Sequence, residues 1–172
     1  MSITATEPRA AALTRWTVDR ENTSVEFTVR TFWGLTGVRG RFDRFDGSYE
    51  SGPGGTTIEL TIEADSLDTG NSTRDKHLQA TGFFRVGQHP RVRFTSTRVH
   101  DVGDGILHVV GRLEAAGHVV PLEFPATVRP AGNGYEVEAT TTVDQSQLGM
   151  SSGRLGMIRR PATLHVKARV SR

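Results

Sequence analysis

Apolar and polar residues alternate with a period of two along much of this chain. In Ser24–Arg30, Val25, Phe27 and Val29 are separated by polar residues, and in Thr57–Ala64 the same holds for Ile58, Leu60, Ile62 and Ala64. Three later windows repeat the pattern: Val120–Val128, Tyr135–Val143 (broken once, at Thr141) and Ala162–Val170. Successive side chains of a strand point to opposite faces, so each window predicts a strand with one buried face. Weaker versions cover Thr14–Asp19, Gly37–Phe42, Phe45–Glu50, Arg91–His100 and Ile106–Ala115.

Glycine clusters at 51–55, 103–105 and 132–134 read as hairpin links between these strands. Pro121 and Pro125 sit on the outward face of their window and predict an edge or bulged strand, because proline has no N–H for a ladder. Only Ser66–Gln79, with Asp68, Thr69, Ser72 and Thr73 as cap candidates, reads as helical, for a turn or two. Many short strands with turns between them predict an all-β sandwich or barrel. About eight strands closed into a barrel leave room for side chains or one small ligand.

The 172 residues suit one domain. Residues 1–13 are expected to form a flexible tail and 14–172 the domain. Zero cysteines exclude disulfides, thiolate metal sites and cysteine nucleophiles. The longest stretch without Asp, Glu, Lys or Arg is the polar run Gln145–Gly153, so no membrane-spanning helix is predicted. Met1–Arg15 has no apolar core of a secretory signal, and the expected location is cytoplasmic. The net charge of +2 comes mainly from scattered arginines, which argues against nucleic acid.

Catalytic and metal signatures are weak. Ser72, Asp75 and His77 lie close in sequence, but a helix would put His77 off the face of the other two. The six histidines have no His-x-His or His-x-x-x-His spacing, and no phosphate-binding glycine loop occurs. The aromatic residues say more. Phe27, Phe32, Trp33, Phe42 and Phe45 crowd the first third, and Phe83, Phe84 and Phe94 follow the helical stretch. Thr31-Phe-Trp-Gly-Leu35 falls in a break between strands, where large apolar side chains suit the mouth or lid of an apolar site.

At these positions the sequence resembles the YceI-like family of polyisoprenoid-binding, lipocalin-like bacterial proteins. The resemblance runs from Trp16-Thr-Val-Asp19 through Ser24–Arg30, Val38-Arg-Gly-Arg-Phe42 and Phe45-Asp-Gly47. It continues in Ser66-Leu-Asp-Thr69, Arg74-Asp-Lys-His-Leu78, Phe83-Phe84, Pro90 and Phe94-Thr-Ser96. Gly111-Arg-Leu113 and Pro121-Leu122 match the later strands. The chain departs from the family's usual residues at Thr23, where a histidine is common, and at Gly82, His89 and Gln145–Gly149.

The resemblance implies an extended antiparallel lipocalin-like β-barrel of about eight strands with one short helical segment. It also implies a tunnel for a long-chain lipid such as a polyisoprenoid or isoprenoid quinone; a fatty-acid derivative would fit the same tunnel. No catalysis and no cofactor besides such a lipid are expected, nor stable membrane insertion, and members are often homodimers. The expected lining is Phe27, Val29, Phe32, Trp33, Val38, Phe42, Ile58, Leu60, Ile62, Leu78, Phe83, Phe84 and Phe94. Arg39, Arg74 or His77 is expected to meet a polar head group. Two other readings stand beside it: a filled-barrel, stress-related scaffold, and an enzyme that modifies a lipid through His77 and Asp75.

Overall fold

The computed structural model describes residues 13–31, 36–80, 83–150 and 161–172. Phe32, Trp33 and residues 1–12 lie outside these. The strands are β1 (Thr14–Thr31), β2 (Thr36–Phe42), β3 (Phe45–Gly52), β4 (Gly55–Glu63) and the two-residue β5 (Leu67–Asp68). They continue as β6 (Arg91–Gly103), β7 (Ile106–Ala115), β8 (His118–Ala131), β9 (Gly134–Val143) and β10 (Ala162–Ser171). All pairings are antiparallel, in the order β10-β9-β8-β7-β6-β4-β3-β1-β2-β5. A further ladder joins β10 to β1 and closes the sheet on itself.

Eight staves make the barrel, because β2 and β3 share one edge of β1. Glu26–Thr31 pairs with β2, and Thr14–Thr17 pairs with β3. The other staves are β1, β4 and β6 to β10. The alternation seen in the sequence becomes an inner wall of Val, Leu, Ile and Phe and an outer wall of charged and polar residues. Outside, Arg15 meets Glu50 at 3.1 Å, Arg91 meets Glu63 at 3.1 Å and Lys167 meets Glu136 at 3.6 Å.

At two places where a ladder shifts or ends, a side-chain hydroxyl replaces the missing backbone partner. Between Asp19 and Ser24 the β1–β10 register shifts, and the N–H of Arg169 donates to Thr23 Oγ1 at 3.0 Å. The β4–β6 ladder stops at Glu59 and Thr95, where β6 is about to bulge. There the N–H of Ile58 donates to the hydroxyl of the buried Ser96 at 2.8 Å.

The prolines fall where the sequence pattern puts them. Pro121 and Pro125 pair only with β7, opposite Arg112 and His108, and the ladder from β8 to β9 begins at Ala126. The other edge of β8 is thus unladdered over His118–Pro125. A short 3₁₀ turn, Gln145–Leu148, follows β9 and sets Leu148 and Met150 into the interior beside this gap.

The helix has the two turns the sequence suggests, but it begins only at Ser72. A 3₁₀ turn spans Ala64–Ser66, β5 follows, and the only α-helix among the described residues, α1, is Ser72–Gln79. The Asn71 side chain caps it by accepting the Arg74 N–H at 3.0 Å. Three hairpins, β3–β4, β6–β7 and β8–β9, together with the start of β1, mark one end of the barrel. Helix α1, the 83–90 loop and the 3₁₀ turn after β9 mark the other.

Candidate functional site: an apolar tunnel in the barrel

Large side chains fit inside the barrel because glycines face them. At Gly111 a Cβ would lie 2.6 Å from the Phe94 ring, and at Gly40 one would strike the Phe27 ring. These rings therefore lie flat against the wall instead of crossing the interior. Phe27 packs on Phe42 and Phe42 on Phe84, with centroids 5.5 and 5.8 Å apart, while Phe94 packs on Phe124 at 5.4 Å.

A cavity of about 680 Å³ remains between them. That is within the roughly 300–1,000 Å³ of small-molecule sites. Every stave contributes to its wall. Val18, Ile58, Leu60, Val137, Leu164 and Val166 are only half-buried although they point inward, since their other side faces the void. Leu78, Phe83, Phe84, Leu148 and Met150 line the helix end of the cavity. At the hairpin end the lining changes to Thr14, Trp16, Tyr49, Ser51, Asp101, Tyr135 and Arg172.

Ten residues expected from the sequence border this cavity: Phe27, Val29, Phe42, Ile58, Leu60, Ile62, Leu78, Phe83, Phe84 and Phe94. Val38, on β2, does not, although Val29 opposite it on β1 does. The three polar candidates do not border it either. Arg39 reaches outward to Glu26 at 3.5 Å with 78% of its side chain exposed. Arg74 is held by Thr69, donating to its hydroxyl and its carbonyl at 2.8 Å each. The exposed His77 packs its ring on Phe83, with centroids 5.2 Å apart.

His77 and Asp75 share no hydrogen bond among the described residues. Asp75 Oδ1 instead accepts the N–H and the hydroxyl of Thr69, so this carboxylate braces the turn that leads into α1. No cluster of three metal-ligating side chains occurs among the described residues. No helix among them is long and apolar enough to cross a membrane.

The sequence reading missed the wall made by β8, β9 and β10, including Phe124, Val137, Leu164 and Val166. The signal was present, because these residues occupy the inward parity of the last three alternating windows. It also missed the hairpin end. There Trp16 and Tyr135 meet edge to face, with centroids 5.1 Å apart and planes at 74°. The Arg172 guanidinium lies 4.8 Å over the Trp16 ring.

The fold and cavity define a closed eight-stranded antiparallel barrel with an apolar interior. The YceI-like domain profile matches residues 16–170, and the chain belongs to that family. A UPF0312 protein of Pseudomonas paraeruginosa is 32% identical over 79% of this chain and 77% of its own length. One from Shewanella baltica is 31% identical over 93% of this chain and 86% of its own. Among solved structures, BcnA of Burkholderia cenocepacia superposes with a TM-score of 0.79 at 17% identity, covering 90% of this chain and 99% of that one. A polyisoprenoid-binding domain from Saccharophagus degradans gives 0.73 at 15% identity, covering 91% and 97%.

Proposed function

We propose that this protein binds a long-chain apolar or amphiphilic molecule in the barrel tunnel and acts as its carrier, store or sensor. The observation that carries the reading is the 680 Å³ cavity, walled by inward Val, Leu, Ile and Phe from every stave. A polyisoprenoid, an isoprenoid quinone or a fatty-acid derivative suits such a wall, being a flexible apolar chain with one polar end. The family membership and the polyisoprenoid-binding neighbour favour the prenyl classes. Burying ~500 Å² of such a chain would favour binding by roughly 12 kcal/mol. Association and ordering costs offset several of those, leaving room for micromolar or tighter affinity.

The reading is non-catalytic. Asp75 is engaged by Thr69, and His77 stands outside the cavity lining. The cavity also favours a binding role over a filled barrel.

The test is native mass spectrometry of the purified protein, followed by organic extraction, with Ala139→Trp as the comparison. Ala139 lines the middle of the tunnel, opposite Ala126 on one side and Val166 on the other. We expect a stoichiometric apolar ligand, or saturable uptake of an added polyprenyl lipid, in the wild type and none in the filled variant. Val166→Phe is the milder substitution if the indole prevents folding. A wild type that takes up no polyprenyl phosphate, quinone or fatty acid overturns the reading.

A further inference from the structure

The two ends of the tunnel differ in chemistry. At the helix end the cavity lining is Leu78, Phe83, Phe84, Leu148 and Met150 beside Gln145. At the hairpin end both tyrosines of the chain, and one of its two tryptophans, enter the lining. Register explains why they meet. Trp16 on β1 is directly opposite Tyr49 on β3, and Tyr135 on β9 is opposite Val170 on β10. The Trp16 and Tyr135 rings touch across β10, and Arg172, just beyond that strand, lays its guanidinium on the Trp16 ring.

Neither tyrosine hydroxyl has a hydrogen-bond partner among the described residues, and Arg172 has no carboxylate partner among them. Asp101 lines the same end, but its Oδ1 already accepts the Gly103 N–H at 2.9 Å. Tyr135 is 37% exposed while bordering the cavity, so the cavity reaches the surface beside it. Trp and Tyr suit such a boundary, having one apolar and one polar part. The collar thus presents two phenol O–H donors and one guanidinium at the mouth of an apolar tube.

We propose that the ligand lies with its polar head at the hairpin end, held by Tyr49, Tyr135 and Arg172 beside Trp16, and its tail toward Phe27, Phe42 and Phe84. The head group is one that offers acceptor oxygens, whether ring carbonyls or a phosphate. The proposal rests on the tunnel being a ligand site, and it reverses the expectation that Arg39, Arg74 or His77 meets the head.

The experiment compares three probes of equal tail length on the intact chain: a polyprenyl hydrocarbon, a polyprenyl benzoquinone and a polyprenyl phosphate. Their affinities are measured for the wild type, Tyr49→Phe/Tyr135→Phe, Arg172→Gln and, as a control, Arg74→Gln. The wild type should prefer at least one oxygenated probe over the hydrocarbon. Each lost hydrogen bond should reduce that preference on the order of fivefold, with hydrocarbon affinity unchanged. Loss confined to the tyrosine variant identifies a carbonyl head, and loss confined to Arg172→Gln a phosphate.

In parallel, a nitroxide on the head group should broaden the amide signals of 103–106 and 131–134, not those of 72–79. Broadening at α1, or loss of preference only in Arg74→Gln, overturns the proposal. Failure of all three probes to bind would instead overturn the underlying tunnel reading. The conservative phenylalanines keep the collar packed, and hydrocarbon binding checks that each variant is folded.

Discussion

The indole of Trp16 and the phenol of Tyr135 touch across a strand that separates them. Their centroids are 5.1 Å apart, yet β10 lies between their strands, with Val170 opposite both Val18 and Tyr135. The contact forms only when the first and last strands are joined in one wall. It therefore reports both barrel closure and the state of the tunnel mouth. With Trp33→Phe, Trp16 becomes the sole tryptophan. Its emission should then change saturably as a polyprenyl quinone is added, and shift to the red on unfolding. A quinone that binds by extraction but leaves Trp16 emission unchanged would place the ligand away from this end.

Gly111 makes room for the Phe94 ring, so Gly111→Ala should press that ring into the tunnel. A Cβ there also meets the Thr95 carbonyl at 2.5 Å, and the backbone has little freedom to yield. The expected cost is about 1–3 kcal/mol of stability, together with weaker binding of long tails. Gly54→Ala, where a Cβ meets nothing within 4 Å, should stay within about 0.5 kcal/mol of wild type. Equal denaturation midpoints for the two variants would refute the packing argument.

The hydroxyls at the ladder breaks make a second pair of expectations. Ser96→Ala strands the N–H of Ile58, and Ser96 is only 8% exposed. The cost should be about 1–3 kcal/mol. Thr23→Val removes the acceptor for Arg169 N–H in a half-buried, wetter position, where water can substitute, so its effect should be smaller. Urea titration measures both, and a larger loss at Thr23 would reverse the assignment.

On the outer wall, His165 Nε2 lies 2.9 Å from Glu138 Oε1. The hydrogen bond from His165 holds the Glu138 carboxyl below the ordinary glutamate range, with smaller help from the charges of His165, Lys167 and Arg129. A depressed carboxyl binds its proton less readily in the folded chain than in the unfolded one. The stability it contributes is thus present above about pH 4.3 and fades as pH falls through the lower folded value. Glu138→Gln should lower the thermal midpoint slightly at pH 6, with the difference shrinking as the pH falls into the acid range. A difference that does not change with pH would assign the effect to packing.

The enzyme reading has its own check. His77→Ala should leave polyprenyl binding within about twofold, because the ring is outside the cavity lining. Asp75→Asn should instead destabilise the turn into α1, where the carboxylate receives two bonds from Thr69. Near-neutral thermal melts for Asp75→Asn would show that those bonds contribute little.

Much of the wall was legible in the chain. Period-two alternation set which face of each window turns inward, and Phe27, Ile58, Leu60 and Ile62 line the tunnel for that reason. Pro121 and Pro125 marked an unladdered edge, because a residue without an N–H leaves no bond to lose there. Family resemblance added the barrel, which alternation alone could not separate from a sandwich.

What the sequence could not determine depends on contacts between distant segments. Parity cannot say whether facing side chains meet or leave a void; that followed from how Gly40 and Gly111 let rings lie against the wall. Arg39 and Arg74 look alike as charges in the sequence, and only the fold spends them on Glu26 and Thr69, away from the lining. The polar collar was hidden because Trp16, Tyr49 and Tyr135 come from three strands and Arg172 from the residue after a fourth. Antiparallel register and the β1–β10 closure bring them to one level, and neither is a local property of the chain.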